Sequence, residues 1–330
     1  MNVLVIGGNR FVGLLATWRL LAAGHRVTLL NRGRLPDPFG DRVERLRGDR
    51  GTALARLVGG RCFDVVLDLA AYSGEDGRRA AEVFQGKVGH YLMVSTGQVY
   101  LVLARAPRPA RESDYDGPLV PRPDGPPDLD EWEYGVGKRE AEDALAVAAR
   151  EGFPATRVRI PMVNGEGDYF RRIESYLWRL LDGGPILLPD GGTQPLRHVY
   201  GGEVARFLVE SAGRRETFGQ AYNLAQEETP TLAELVEKLR RLLGARSELL
   251  PVPAAELAKE GIPAIAASPF SGRWMSFLDP ARARDELGFR HEPLDACLGK
   301  VVSGFLSHAP PAPPEGYRFR PLELAIAARL

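Results

Sequence analysis

Short, continuously apolar runs alternate with amphipathic stretches through the first half of the chain. Val3 to Ile6 is apolar at every position, the pattern of a strand buried on both faces of a parallel sheet. Phe11 to Ala23 then carries Leu14, Leu15, Trp18 and Leu21 at helical spacing and stops at Gly24, a common helix terminator. Arg26–Leu30, Phe63–Ala71, Tyr91–Ser95 and Thr156–Ile160 read as further strands, and Gly77–Phe84 and Glu140–Arg150 as helices. This alternation predicts an α/β protein with a Rossmann-type doubly wound parallel sheet and right-handed crossovers.

The segment Ala104–Asp130 interrupts the alternation with seven prolines and two glycines and reads as a long loop. Beyond Asp168 the pattern changes. Helices are expected near Arg171–Leu181, Glu203–Ala212, Leu232–Leu243 and Pro280–Leu287. The expected organisation is a dinucleotide-binding domain over 1–168, with a returning segment near 194–226, and a smaller substrate-binding lobe over 169–330.

The turn between the first strand and first helix is Gly7 to Gly13, GGNRFVG. A backbone that approaches a pyrophosphate closely has no room for a Cβ, and the free N–H groups of a helix start hold the anion. Gly7, Asn9, Arg10, Phe11, Val12 and Gly13 are therefore candidate dinucleotide contacts. An acid at the end of the second strand would hold an adenosine ribose and repel a 2′-phosphate. This chain has Asn31 and Arg32 there and no acid, so NADP is expected in preference to NAD. Asp49 is placed to meet the adenine.

Tyr134 and Lys138 stand four residues apart, on one face if helical. A nearby ammonium lowers a phenol's pKa toward neutrality and makes it a usable acid/base. Ser95 and Thr96 end a strand that faces the ligand crevice of such sheets. Thr96 is expected to hold a substrate oxygen, Tyr134 to exchange its proton, and Lys138 to tune the phenol and hold the nicotinamide ribose. Together with a nicotinamide cofactor, these groups suit hydride transfer at a carbonyl or carbinol. Tyr72 and Gln98 are candidate substrate contacts.

These residues resemble the extended short-chain dehydrogenase/reductase superfamily, the NAD-dependent epimerase/dehydratase group. The resemblance adds Leu69, Ala70 and Ala71 as a cofactor-contacting strand end, and Arg159 to Gly165 as the turn that closes over the nicotinamide, with Pro161 on the cofactor and Asn164 on the substrate. Gln194 to Val199, with Arg197 a substrate candidate, and Asp279 to Phe289 match later landmarks. Arg10 replaces the middle glycine of the usual turn, which is similar to the branch containing chloroplast stem-loop-binding proteins, some of them described as RNA-binding. Gly97 and Gln98 stand where sugar-nucleotide dehydratases carry Asp-Glu, which argues against dehydration. The resemblance also implies a homodimer.

Composition narrows the alternatives. The 43 Lys and Arg residues balance 43 Asp and Glu, so no net field attracts a nucleic acid or an anionic membrane. Cys62 and Cys297 are too few for a zinc site, and no metal is expected. No apolar run reaches the roughly 20 residues of a membrane span, and no signal segment precedes the first strand, so a cytoplasmic location is expected. The favoured function is an NADP-dependent oxidoreductase or epimerase acting on a sugar-like or small polar substrate. The alternative is a dinucleotide-binding regulatory or RNA-associated protein without turnover.

Overall fold

The apolar run at the start of the chain forms strand β1 (Asn2–Ile6), whose last four residues are buried. The computed structural model describes residues 1–330. Further strands are β2 (Arg26–Asn31), β3 (Val43–Arg47), β4 (Phe63–Asp68), β5 (Val88–Thr96), β6 (Ala155–Ile160), β7 (Val163–Asn164), β8 (Ile186–Pro189), β9 (Val199–Tyr200), β10 (Ala221–Asn223) and β11 (Leu249–Val252). Seven of them form one sheet in the order β10-β6-β5-β4-β1-β2-β3, all neighbours being parallel.

Parallel neighbours need crossovers, and helices supply them. The first five are α1 (Phe11–Ala22), α2 (Arg50–Val58), α3 (Gly74–Phe84), the short α4 (Gln98–Leu101) and α5 (Asp128–Arg150). Later come α6 (Arg172–Leu181), α7 (Gly201–Glu210) and α8 (Leu232–Leu243). The strand order reverses at β1, which lies between β2 and β4. At such a switch point the connections leave in opposite directions and open a crevice at the carboxyl ends of the strands.

The chain divides into two units. The first comprises Met1–Met162, Gly201–Ala225 and Ser276–Arg290. It holds the seven-stranded sheet, with Leu4, Ile6, Val66, Phe84, Tyr91 and Leu145 in one apolar core. The second comprises Val163–Tyr200, Gln226–Met275 and His291–Leu330. It contains the parallel pairs β7–β9 and β8–β11, with Leu187, Val252, Leu257, Ile262 and Ile326 in a core of its own.

Several elements differ from the sequence expectation. β3 and α2 were not anticipated, because Val43–Arg47 carries three charges in five positions. It is the sheet's edge strand, where charge is tolerated and blocks unwanted pairing. α5 begins at Asp128 rather than Glu140, and α3 at Gly74 rather than Gly77. Asp128, Asp130 and Glu131 suit the positive end of the α5 dipole. Ser73 and Asp76 cap α3 reciprocally, which satisfies free backbone donors.

Two buried histidines set an acid limit. His90 on β5 lies 2.8 Å from Thr156 Oγ1 and accepts from the Gly213 N–H at 3.0 Å. Burial pushes its pKa down to about 4. His198 in the second unit is pushed down to about 3 by burial and by the Arg172 charge. Both have folded pKa values below the unfolded 6.5, so below that pH the unfolded chain binds more protons. Stability is expected to fall as pH drops from about 6.5 toward 4. A melting temperature that stays flat between about pH 7 and 4.5 would contradict this.

Candidate active site

The glycine turn between β1 and α1 lies at the switch point. A Cβ on Gly13 would stand 2.3 Å from the Gly7 carbonyl oxygen, so only glycine lets the helix start so close to the strand. Phe11 opens the helix with φ of 37°, a left-handed conformation unusual for a bulky residue and of the kind found at ligand sites. Asn9 donates to the Leu35 carbonyl at 3.3 Å, and Arg10 is exposed. Closely packed glycines, a strained turn and a helix start fit a dinucleotide's pyrophosphate.

The loop after β4 is held from below. Asp68 Oδ1 accepts the Ala70 N–H at 2.8 Å. Its Oδ2 accepts Arg50 Nη2 at 2.7 Å and the Tyr91 hydroxyl at 2.6 Å. Asp76 accepts the Tyr72 and Ser73 N–H groups at 2.9 and 3.1 Å and is also paired with Arg50. One buried guanidinium therefore clamps two carboxylates that hold the backbone of Leu69, Ala70, Ala71 and Tyr72. The neighbouring charges keep Arg50 protonated despite its burial.

α5 lies against this loop because Gly137 lacks a side chain. A Cβ there would come 2.4 Å from the Tyr72 carbonyl oxygen. The close approach brings Tyr134 and Lys138 beside Tyr72. The Tyr72 and Tyr134 ring centres are 6.3 Å apart, and Lys138 Nζ lies 4.7 Å above the Tyr72 ring. Thr96 ends β5, its Oγ1 accepts the Gln98 N–H at 3.2 Å, and its hydroxyl is near enough to pull the Tyr134 pKa down.

The expected electrostatics need correction. Tyr134 is 38% exposed, yet protein atoms crowd it, and loss of water pushes its pKa up to about 12 against the pull of Thr96. Lys138 does not lower it. Lys138 is 2% exposed and donates to the Val94 carbonyl at 2.9 Å. Burial pushes its own pKa down to about 8, with Asp68 and Glu142 opposing. The pair thus shares a helix face without direct charge tuning of the phenol.

Three other candidates already have protein partners. The Ser95 hydroxyl donates to Glu142 Oε1 at 2.5 Å in the interior. The Gln98 amide donates to Glu131 Oε2 at 2.6 Å. Asp49 caps α2 by accepting the Gly51 N–H at 2.8 Å, which occupies one of its oxygens.

Sequence reasoning missed Arg50, Glu131 and Glu142, and the ion pair that Arg159 makes. Glu131 sits one turn before Tyr134, and its charge reaches the phenol. Arg159 is bidentate on Glu142, with both side chains almost wholly buried. It also donates to the Tyr100 hydroxyl at 2.6 Å. The partners are far apart in sequence, so no local pattern announces them.

Asn31 and Arg32 stand at the end of β2, where Asn31 Oδ1 accepts the Gly33 N–H at 2.9 Å. Val12 and Pro161 are buried. Asn164 and Arg197 belong to the second unit. Asn164 is buried with its amide nitrogen 2.7 Å from His198 Nδ1. Arg197 binds Thr229 Oγ1 at 3.0 Å and the Glu227 carbonyl at 3.3 Å. Asp168 is buried and accepts the Phe170 and Arg172 N–H groups. No helix is long and apolar enough to cross a membrane.

A parallel sheet with a glycine turn at its switch point defines a dinucleotide-binding α/β protein. Residues 3–225 match the NAD dependent epimerase/dehydratase family, and the chain belongs to that family. It is 25% identical over 253 residues to the chloroplast stem-loop binding protein of 41 kDa b from Arabidopsis thaliana. That alignment spans 72% of this chain and 61% of the relative, so the chain matches less than two thirds of the relative's length. In fold it is similar to UDP-glucose 4-epimerase of Thermotoga maritima, with a TM-score of 0.72, 20% identity, and coverage of 93% and 99% of the two chains. It is also similar to a dTDP-glucose 4,6-dehydratase from Bacillus anthracis solved with NAD, with a TM-score of 0.71, 16% identity, and coverage of 94% and 97%.

Proposed function

We propose that the protein is an NADP-dependent oxidoreductase or epimerase acting on a carbonyl or carbinol centre of a sugar-like or small polar substrate. This reading is supported by Tyr134, which α5 places beside Tyr72 at the loop after β4, one strand from the glycine turn, with Thr96 ending the neighbouring β5. The nicotinamide, when bound, supplies the hydride donor or acceptor. Gly7 to Gly13 would hold its pyrophosphate, and the Leu69–Ala71 backbone would line its path. With a raised pKa, Tyr134 keeps its proton at neutral pH, which suits donation to a carbonyl oxygen as that oxygen gains negative charge. Thr96, whose influence already pulls the Tyr134 pKa down, then helps stabilise the phenolate left behind.

Structural neighbours solved with NAD make NAD the competing cofactor. The arginines at the end of β2 favour the 2′-phosphate form. NADPH is expected to bind more tightly than NADH, and Arg32→Ala to remove most of the difference. Equal affinities of the wild type, read by nicotinamide fluorescence, would contradict it.

A second reading follows from the stem-loop binding relative: a dinucleotide-binding RNA-associated protein in which occupancy rather than turnover matters. Equal numbers of acidic and basic residues weigh against a large electrostatic RNA footprint. Cofactor binding with no Tyr134-dependent turnover across a sugar and sugar-nucleotide screen would favour it.

A further inference from the structure

The last residue of β3, Arg47, is in register with Asn31, the last residue of β2. The turn between them is fixed: Gly48 N–H donates to the Asn31 carbonyl at 3.0 Å, and Asn31 Oδ1 holds the Gly33 N–H. Gly33 has φ of 70°. A Cβ on Gly33 would lie 2.6 Å from Arg47 Nη1, 3.3 Å from its Cδ and 3.5 Å from its Cζ. The Arg47 guanidinium therefore lies across the face that the glycine leaves bare, next to Arg32.

Arg45, on the same strand, is fixed on Asp37 through two bonds of 3.0 and 2.6 Å. That occupies the acid whose charge Arg47 also feels. Arg47 and Arg32 have no hydrogen-bonded or ion-paired protein partner. Arg32 adjoins Gly33 at the end of β2, and its charge reaches the Tyr72 phenol. Two unpaired planar cations thus flank one glycine at the end of the second strand, where a bound dinucleotide's adenosine ribose would lie. Guanidinium groups match phosphate oxygens through paired N–H donors.

We infer that Arg47 is the second arm of a 2′-phosphate site, acting with Arg32 on either side of Gly33. This rests on the NADP reading above and adds a specificity residue from a different strand. The competing role for Arg47 is that of a solvated guard on an edge strand.

The test is titration of the intact protein with NADPH, NADH and the probe 2′,5′-ADP, comparing wild type with Arg47→Ala, Arg47→Lys and Arg32→Ala. Arg47→Ala is expected to weaken NADPH and 2′,5′-ADP by roughly tenfold or more, to leave NADH unchanged, and to leave the unliganded melting temperature unchanged because Arg47 is exposed. Arg47→Lys should recover part of the loss. If Arg47→Ala keeps the full NADPH preference while Arg32→Ala loses it, the inference about Arg47 is overturned and the NADP reading stands. Equal weakening of NADH and NADPH would also overturn it, since Arg47 would then act on a part common to both. A wild type with no preference would remove the NADP reading and this site together.

Discussion

Replacing Tyr134 by phenylalanine is expected to leave NADPH binding intact and to lower turnover by about 10²–10⁴-fold. The change removes one hydroxyl from a residue that is 38% exposed and whose ring has no core role. What disappears is the proton that a reduced carbonyl oxygen must acquire. The residual rate would come from positioning alone. Lys138→Met should differ, because Lys138 Nζ anchors α5 to the Val94 carbonyl on β5 and would also hold the nicotinamide ribose. That variant is expected to lose cofactor affinity as well as rate. Kinetics on the best substrate from a screen, together with cofactor titration, separate the two. A Tyr134→Phe enzyme that turns over at the wild-type rate would remove the phenol from the mechanism.

The second large effect is on stability. Glu142→Ala is expected to cost about 3–5 kcal/mol, the usual cost of leaving one member of a buried ion pair alone. Glu142 and Arg159 are 0% and 2% exposed, and two further groups depend on them. Ser95 donates to the Glu142 carboxylate, and the Tyr100 hydroxyl accepts from Arg159 and donates to Asn223 Oδ1 at 3.0 Å. The carboxylate is held below its ordinary pKa, with the Arg159 charge overcoming its burial, while Arg159 is raised in turn. Replacing both members with apolar residues of similar volume should cost far less than either single change. Urea denaturation of the two single variants and the double variant checks this. Additive losses would show that the two charges are not coupled. The network lies directly beneath Thr96 and one turn beyond Lys138, so a stability loss here is expected to carry a loss of site order with it.

What was legible in the sequence follows from how local each signal is. β1, the glycine turn and α1 could be read because a fully apolar strand, Gly7, Gly13 and a helical apolar stripe are contiguous. Tyr134 and Lys138 could be read because a helix brings residues four apart onto one face. β3 could not, since an edge strand of alternating charge looks like a loop. The start of α5 was hidden by the prolines that precede it, although its acids at 128, 130 and 131 carry the helix-start signal. The supports of the site were illegible for a different reason. Arg50 meets Asp68 and Asp76, and Glu142 meets Arg159, only after the sheet has formed. The charge state of Tyr134 was misread because spacing gives proximity but not direction: the lysine points at a backbone carbonyl, and burial dominates the phenol.

A crystal structure of the protein with NADPH tests the central claim most directly. The pyrophosphate is expected on the Gly7–Gly13 turn, the 2′-phosphate between Arg32 and Arg47, and the nicotinamide ring facing the Tyr134 hydroxyl. A nucleotide bound elsewhere, or a nicotinamide turned away from Tyr134 and Thr96, would contradict it.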